Sequence, residues 1–356
     1  MKIRVALVVS GFHMGGAEHM VYELIRHLPT DTMTLKVFCV GRKTHTVLED
    51  KVLKSSVDVV FLHYDRPGIV AWYKVSQALK QFRPHVIHSH IVGAAYVLPY
   101  LLLHKVKLIH TIHTSPEIEF SSKMRFVLKW LCKTKKAMMV TVSESNREKA
   151  VTCYSIRPHR VVTINNGVDL ERFYREEHAG FTYINVGRQD VNKNQRLLIR
   201  AFKKVAEQYE DVHLILAGDG NQHEALIGLT GELGLMEKIT FPGMVAKPEY
   251  FLAKSDVYVQ TSRVEGLPLA VLEAMAAGLP IISTPPGGMK DIVRDNGILI
   301  PFDEVDPLVD AMIRLKEDEE MRISMGKASK EAVKPFGAEE MAKQYHTVYL
   351  RTANRS

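Results

Sequence analysis

Residues 263–280 read Arg-Val-Glu-Gly-Leu-Pro-Leu-Ala-Val-Leu-Glu-Ala-Met-Ala-Ala-Gly-Leu-Pro. An apolar run, Val257–Gln260, precedes this stretch and reads as a strand, so the passage runs strand, loop, helix. Two carboxylates, Glu265 and Glu273, flank seven residues. The first sits in a Gly266-Leu267-Pro268 loop, the second on the helix that follows. Pro268 fits the first helical position, where its missing N–H would be unpaired in any case. The N–H groups around Gly266, Leu267 and Leu269 then point out of a helix N-terminus, which suits an anion. Glu273 falls about two turns in, on the face that reaches back past the first turn. A loop carboxylate, a phosphate cradle and a second carboxylate would hold a sugar, a diphosphate and a ribose in that order. The plain alternative is a surface loop and an amphipathic helix with a solvated Glu.

Working outward, the second half alternates strands and helices. Strands are expected at Tyr183–Val186, His213–Ala217, Ile239–Pro242 and Ile281–Ser283. Helices are expected at Asn194–Tyr209, Gln222–Leu233, Lys247–Ser255, Pro268–Ala277, Pro307–Glu317 and Glu319–Val333. The first half repeats the pattern. Ile3–Val9, Leu35–Val40, Val57–Leu62, His85–His88, Leu108–Ile112 and Ala137–Val142 read as strands. Helices fall near Ala17–His27 and Ile69–Phe82. Alternation of this kind argues for parallel sheets covered on both faces. The junction lies in Val162–Phe173, where a strand ends in Asn165-Asn166-Gly167 turn chemistry. The expected division is residues 1–164, residues 165–335 and a final helical segment 336–356. The fold class is α/β, with two doubly wound Rossmann-like parallel-sheet domains and ligands bound outside the carboxyl ends of the strands, in a cleft between the domains.

With 356 residues, each domain has enough chain to bury a core, and 46% apolar with 24% charged residues is a soluble globular composition. Three widely spaced cysteines (Cys39, Cys132, Cys153) suggest neither a zinc site nor a disulfide framework, which points to a reducing, cytoplasmic compartment. The first apolar run is too short for a signal peptide, and no stretch suits a membrane span. Residues 1–170 hold 24 Lys and Arg against 12 Asp and Glu, a balance of +12. The remainder balances at −5, for the net +7. A basic half implies an anionic partner. Its focus is residues 123–136, with six cations, no acid, and Met, Phe, Val, Leu and Trp between them. As a helix, this segment suits the lipid headgroup region, through Lys123, Arg125, Phe126, Lys129, Trp130 and Lys133. The alternative is a packed helix whose polar face happens to be basic. No nucleic-acid motif accompanies the charge.

Three further segments carry chemistry. Gly187-Arg188-Gln189-Asp190-Val191-Asn192-Lys193-Asn194 directly follows a strand, and its Arg fork and Lys point charge are what a departing diphosphate needs. Gly11-Phe12-His13-Met14-Gly15-Gly16 is a glycine-rich strand-to-helix loop but not Gly-x-Gly-x-x-Gly, and no acid suited to a ribose follows the second strand. That argues against a dinucleotide oxidoreductase. Six histidines (His85, His88, His90, His104, His110, His113) cluster in the first half without the spacing of metal ligands. No Asp-x-Asp pair is present to hold a cation on a nucleotide-sugar, so no metal or other cofactor is expected.

The segments Glu265-Gly-Leu-Pro and Glu273-Ala-Met-Ala-Ala-Gly-Leu-Pro resemble the donor site of retaining glycosyltransferases of family 4, with the GT-B fold. Ile164-Asn-Asn-Gly-Val-Asp169 resembles the interdomain signature of the same family. The resemblance covers nearly the whole chain and is most specific from Val162 to Pro301. It implies that Arg188 and Lys193 bind the donor diphosphate, Glu265 the sugar hydroxyls and Glu273 the ribose. It further places Gly218 and Val245 near the nucleoside, Gly15 and Gly16 between donor phosphate and acceptor, and His113 beside the donor sugar. The closing segment would return to the first domain.

The activity so implied is retaining transfer of a hexosyl or N-acetylhexosaminyl group from a UDP-sugar. The acceptor would be a lipid-linked or oligosaccharide hydroxyl, in capsule, exopolysaccharide or lipopolysaccharide assembly at the inner face of the membrane. A nucleotide-sugar 2-epimerase shares the architecture but not these segments. A non-catalytic binding module should lack at least one of Arg188, Lys193, Glu265 and Glu273, and all four are present.

Overall fold

The computed structural model describes residues 2–354, which fall into two compact units. The first takes the chain through Gly167 together with the segment from Ala338. The second is Val168–Gly337. The divisions thus fall after Gly167 and before Ala338, two to three residues beyond 164 and 335.

The first unit is built on strands β1 Ile3–Val9, β2 Met33–Cys39, β3 Asp58–Phe61, β4 Val86–His90, β5 Lys107–Ile112, β6 Ala137–Thr141 and β7 Val161–Thr163. Their order is β3-β2-β1-β4-β5-β6-β7 and every pairing is parallel. Val5 to Val9 are buried without a break, as strands covered on both faces must be. The helix Gly93–Leu103 was not expected. It is apolar nearly all round and carries Pro99 inside, so it offers no amphipathic stripe to read. The last helix, Ala338–Ala353, packs against Gly16–His27 and β4. It buries Tyr345 and Tyr349 completely.

The second unit repeats the winding with β8 Phe181–Val186, β9 Val212–Ala217, β10 Ile239–Thr240, β11 Val257–Gln260, β12 Ile281–Ser283 and β13 Gly297–Leu299. The order is β10-β9-β8-β11-β12-β13, again all parallel. β10 stops short of Pro242, which has no N–H to give a ladder. The helix Gln195–Ala206 shows why its sequence folds so. Leu197, Leu198, Ile199, Ala201, Phe202 and Val205 face the core, while Arg196, Arg200 and Lys204 stay exposed. Among the described residues no helix is long and apolar enough to cross a membrane.

Candidate active site

In each sheet the strand order reverses once, between β1 and β4 and between β8 and β11. At such a point the loops leaving adjacent strands part to opposite faces, and a crevice opens at the strands' carboxyl ends. In the second unit those loops are Gly187–Asn194 and Thr261–Pro268. They are bonded to each other directly. Thr261 Oγ1 donates to the carbonyls of Lys193 and Asn194, at 3.0 Å each, and Arg263 N donates to the carbonyl of Asn192 at 2.7 Å. This brings Lys193 Nζ to 2.6 Å from Glu265 Oε1, with side chains 22% and 10% exposed. Gln260 Nε2 donates to the same oxygen at 3.3 Å.

Asp190 organises the first loop. One carboxylate oxygen accepts the N–H groups of Asn192 and Lys193 at 2.9 and 3.1 Å; the other accepts Arg188 Nε at 2.8 Å. Arg188 stays 76% exposed at the rim and does not join the Lys193–Glu265 contact.

The remaining residues expected on the donor side are fixed by backbone on backbone. Gly218 adopts φ +138°, and a Cβ there would lie 1.9 Å from the carbonyl of Gly187. Its N–H donates to the carbonyl of Gly243 at 2.8 Å, tying the loops after β8, β9 and β10 together. Val245 follows on that loop, half-buried. Gly266 accepts the N–H of Gly288 at 2.9 Å, and Gly287, at φ +55°, leaves no room for a Cβ against the carbonyl of Glu265. Leu267 is buried beneath.

One expectation is corrected here. Pro268 is not the first helical residue. At ψ 122° it is extended and caps the helix Leu269–Ala276, its carbonyl accepting the N–H groups of Val271 and Leu272 at 3.2 and 3.4 Å. Glu273 is buried on that helix, against the alternative of a solvated carboxylate. Together with Glu265 it adds negative charge near the phenol of Tyr258, whose pKa is raised by burial first and by these carboxylates second.

In the first unit His113 follows β5, and its Nε2 lies 2.9 Å from Nδ1 of His90, the last residue of β4. Glu119 accepts the N–H groups of His113 and Thr114 at 2.8 and 3.1 Å, and its other oxygen is 3.4 Å from His110 Nε2. Burial drives the pKa of His113 down to about 4, against the pull of Glu119. The ring is therefore a neutral hydrogen-bonding group at physiological pH. Gly15 caps the helix Gly16–His27 with φ −98°, so neither member of the pair is there for a left-handed turn. What its lack of a side chain provides is clearance, since a Cβ would lie 2.5 Å from a carboxylate oxygen of Glu18.

The basic segment forms the helix Ser122–Lys133, but its apolar residues do not share one face. Leu128, Leu131 and Cys132 are buried in the core, while Phe126 is 71% and Trp130 41% exposed. Lys123 and Lys133 are exposed and Lys129 half-exposed beside them. Arg125 is engaged within the unit, its guanidinium donating to Ser122 Oγ at 3.1 Å and to Cys153 Sγ at 3.2 Å. The outward face is thus two aromatics framed by lysines.

Sequence reasoning gave no role to Asp190, Gln260, His90 or Glu119. Gln260 carried a signal: a polar side chain closing an otherwise apolar parallel strand, Val-Tyr-Val-Gln. Glu119 carried none, and His90 stood only as one of six clustered histidines, since the adjacency of β4 and β5 is what brings it to His113.

Residues 14–172 match the domain family described as Glycosyltransferase Family 4, and residues 170–332 match Glycosyl transferases group 1. The UDP-Gal:alpha-D-GlcNAc-diphosphoundecaprenol alpha-1,3-galactosyltransferase of Escherichia coli is 24% identical, over 98% of this chain and 97% of its own length. The N-acetylgalactosamine-N,N'-diacetylbacillosaminyl-diphospho-undecaprenol 4-alpha-N-acetylgalactosaminyltransferase of Campylobacter jejuni is 25% identical over 67% and 68%. Among solved structures, Anabaena HepE in complex with UDP-glucose superposes with a TM-score of 0.85 at 18% identity, covering 99% of this chain and 100% of its own. The two family matches meet at the junction of the two sheets, and the structural likeness spans both. The chain is a glycosyltransferase of the GT-B fold.

Proposed function

We propose that the protein moves a hexosyl or N-acetylhexosaminyl group from a UDP-sugar to a hydroxyl of a lipid-linked or glycan acceptor, with retention at the anomeric carbon. The observation that carries this reading is the Lys193–Glu265 pair at the reversal point of the second sheet. It sets a phosphate-binding cation beside a hydroxyl-binding carboxylate, as a sugar diphosphate requires. The names of the E. coli and C. jejuni relatives, with diphosphoundecaprenol acceptors and alpha linkages, support the acceptor class and the stereochemistry. The UDP-glucose complex of HepE supports the nucleotide.

Glu265 holds sugar hydroxyls, Glu273 the ribose, and Gly218 and Val245 border the nucleoside. Lys193 and Arg188 offset the charge that grows on the diphosphate as the bond from the anomeric carbon to the phosphate oxygen breaks. The acceptor oxygen bonds to that carbon on the same face, and its proton passes to the departing phosphate oxygen. His113 orients the sugar as a neutral imidazole. These cations and the helix N-termini take the place of a divalent ion. Phe126, Trp130 and the lysines around them rest on the anionic inner face of the cell membrane, where the acceptor of a surface polysaccharide is assembled.

The test is release of UDP from a panel of UDP-sugars in EDTA, with and without membrane extract, for the wild type and Glu265→Ala. Extract-stimulated release from one donor, lost in the variant, is the expected result. Release that needs a divalent cation would refute metal independence, and silence with every UDP-sugar would refute the donor class. An inverted anomeric centre in the product, read by NMR, would refute retention.

A further inference from the structure

Gln260 closes β11 with its side chain buried, between two polar groups. Its Oε1 accepts from the Tyr258 phenol at 3.2 Å, and its Nε2 donates to Glu265 Oε1 at 3.3 Å. The Tyr258 hydroxyl also reaches the carbonyl of Val186 at 3.1 Å. Chemistry settles which way the amide points. Turned over, it would set its carbonyl oxygen against the Glu265 carboxylate, acceptor against acceptor. The phenol stays protonated, because burial and then the negative charges of Glu265 and Glu273 oppose its ionisation. The chain Tyr258, Gln260, Glu265 therefore has one direction of donation.

Its consequence falls on the carboxylate. Glu265 Oε1 takes both protein donors, Lys193 and Gln260. Glu265 Oε2 accepts from none of the described residues, and it is not among their buried unpaired atoms, so it opens to solvent. A carboxylate free to turn about its last bond would offer a ligand either oxygen. Held by two donors on one oxygen, it offers the other in a fixed direction.

We infer that Gln260 is a positioning residue, which with Lys193 pins Oε1 of Glu265 so that Oε2 alone faces the hydroxyls of the donor sugar. The inference rests on the reading of Glu265 as the sugar contact. It assigns the Tyr258–Gln260 pair to recognition of the sugar and not of the nucleotide. A glutamine that only satisfies buried polar groups would affect both alike.

Two variants separate these roles. Gln260→Met keeps the length and removes the donor. Its affinity for UDP, by calorimetry, should stay within about twofold of wild type, while KM for the productive UDP-sugar should rise about tenfold, the loss of one hydrogen bond to a charged group. Gln260→Glu places a second carboxyl beside Glu265. The charged and titratable groups facing it are Lys193, Glu265, Glu273 and Tyr258. Two adjacent carboxylates share a proton more readily than one alone holds it. Protonated, the new carboxyl donates an O–H where the amide N–H stood. Activity relative to wild type should approach recovery near pH 5.5 and fall as pH rises, a profile that Gln260→Met does not share. Parallel loss of UDP and UDP-sugar affinity, or a Gln260→Glu profile parallel to wild type, would overturn the inference. Glu265→Ala distinguishes the layers. If it leaves the ratio of UDP-sugar to UDP affinity unchanged, the reading of the site falls and the inference with it. If that ratio changes while Gln260→Met leaves it untouched, the inference alone fails.

Discussion

Lys193 and Glu265 are 72 residues apart in the chain, yet Nζ and Oε1 are 2.6 Å apart in the fold. The distance is closed by topology: β8 and β11 are paired neighbours although two strands intervene in sequence. The contact is partly buried, so each charge depends on the other more than a surface pair would.

Removing the cation should therefore cost more than removing an exposed one. Lys193→Met is expected to lower UDP-sugar turnover by about 100-fold and to weaken UDP itself, if Lys193 is the partly buried cation that the proposed diphosphate site uses. Arg188→Met, on a side chain at the rim, should lower turnover by about tenfold or less. Single-turnover assays with UDP competition measure both. Equal effects of the two substitutions would contradict the geometry.

Gly218 and Gly228 offer a controlled pair. At Gly218 a Cβ meets the Gly187 carbonyl at φ +138°; at Gly228, inside the helix His223–Glu232, it meets nothing within 4 Å. Gly218→Ala should destabilise the second unit by about 2 kcal/mol or more. Gly228→Ala should stabilise it by about 0.5–1 kcal/mol through helix propensity. Denaturant melts of the two variants should shift in opposite directions.

Tyr349 in the last helix bonds His88 Nδ1 at 2.6 Å, and Tyr345 bonds Thr111 Oγ1 at 2.9 Å. All four residues are fully buried. Tyr349→Phe leaves the His88 nitrogen unpaired and should cost about 1–3 kcal/mol. Limited proteolysis should cut the first unit faster in this variant, while Tyr250→Phe, on an exposed ring, should not change the rate.

Burial holds the pKa of His113 down at about 4 and those of His88 and His90 well below their ordinary 6.5. Unfolding frees all three to bind protons below pH 6.5, so the unfolded state binds more protons there. Their contribution to stability is complete above about 6.5 and is lost progressively as pH falls below that value. Melting curves between pH 8 and 5 should show this decline below 6.5 and a plateau above it. Stability that rises on acidification would contradict the assignment of neutral, buried rings.

Phe126 and Trp130 stand exposed, with Lys123, Lys129 and Lys133 around them. Phe126→Ser with Trp130→Ser should abolish sedimentation with phosphatidylglycerol-containing vesicles and leave the melting temperature within a few degrees. Phosphatidylcholine vesicles should bind neither form well, as an electrostatic contribution requires. Unchanged sedimentation of the double variant would remove this face from the membrane.

The glycosyltransferase fold came from the resemblance of the Glu265-Gly-Leu-Pro and Glu273-Ala-Met-Ala-Ala-Gly-Leu-Pro segments to a known family, while the alternation of apolar runs and helical patterns was sufficient for the α/β class and the two parallel sheets. These are local signals: strand and helix periods, turn chemistry, and loops that directly follow strands. The helix Gly93–Leu103 escaped because an all-apolar segment has no period, and Pro268 was placed one residue too far into its helix because proline suits both positions.

Which residues touch was decided by tertiary structure alone. Strand order, not spacing, puts Glu265 against Lys193, and His113 against His90. It also parts Phe126 from Leu128 on a helix that reads as uniformly amphipathic. Sequence carries period and turn, which depend on near neighbours. A contact between strands depends on which sheet edges meet and which groups lose their water there, and those belong to the folded chain.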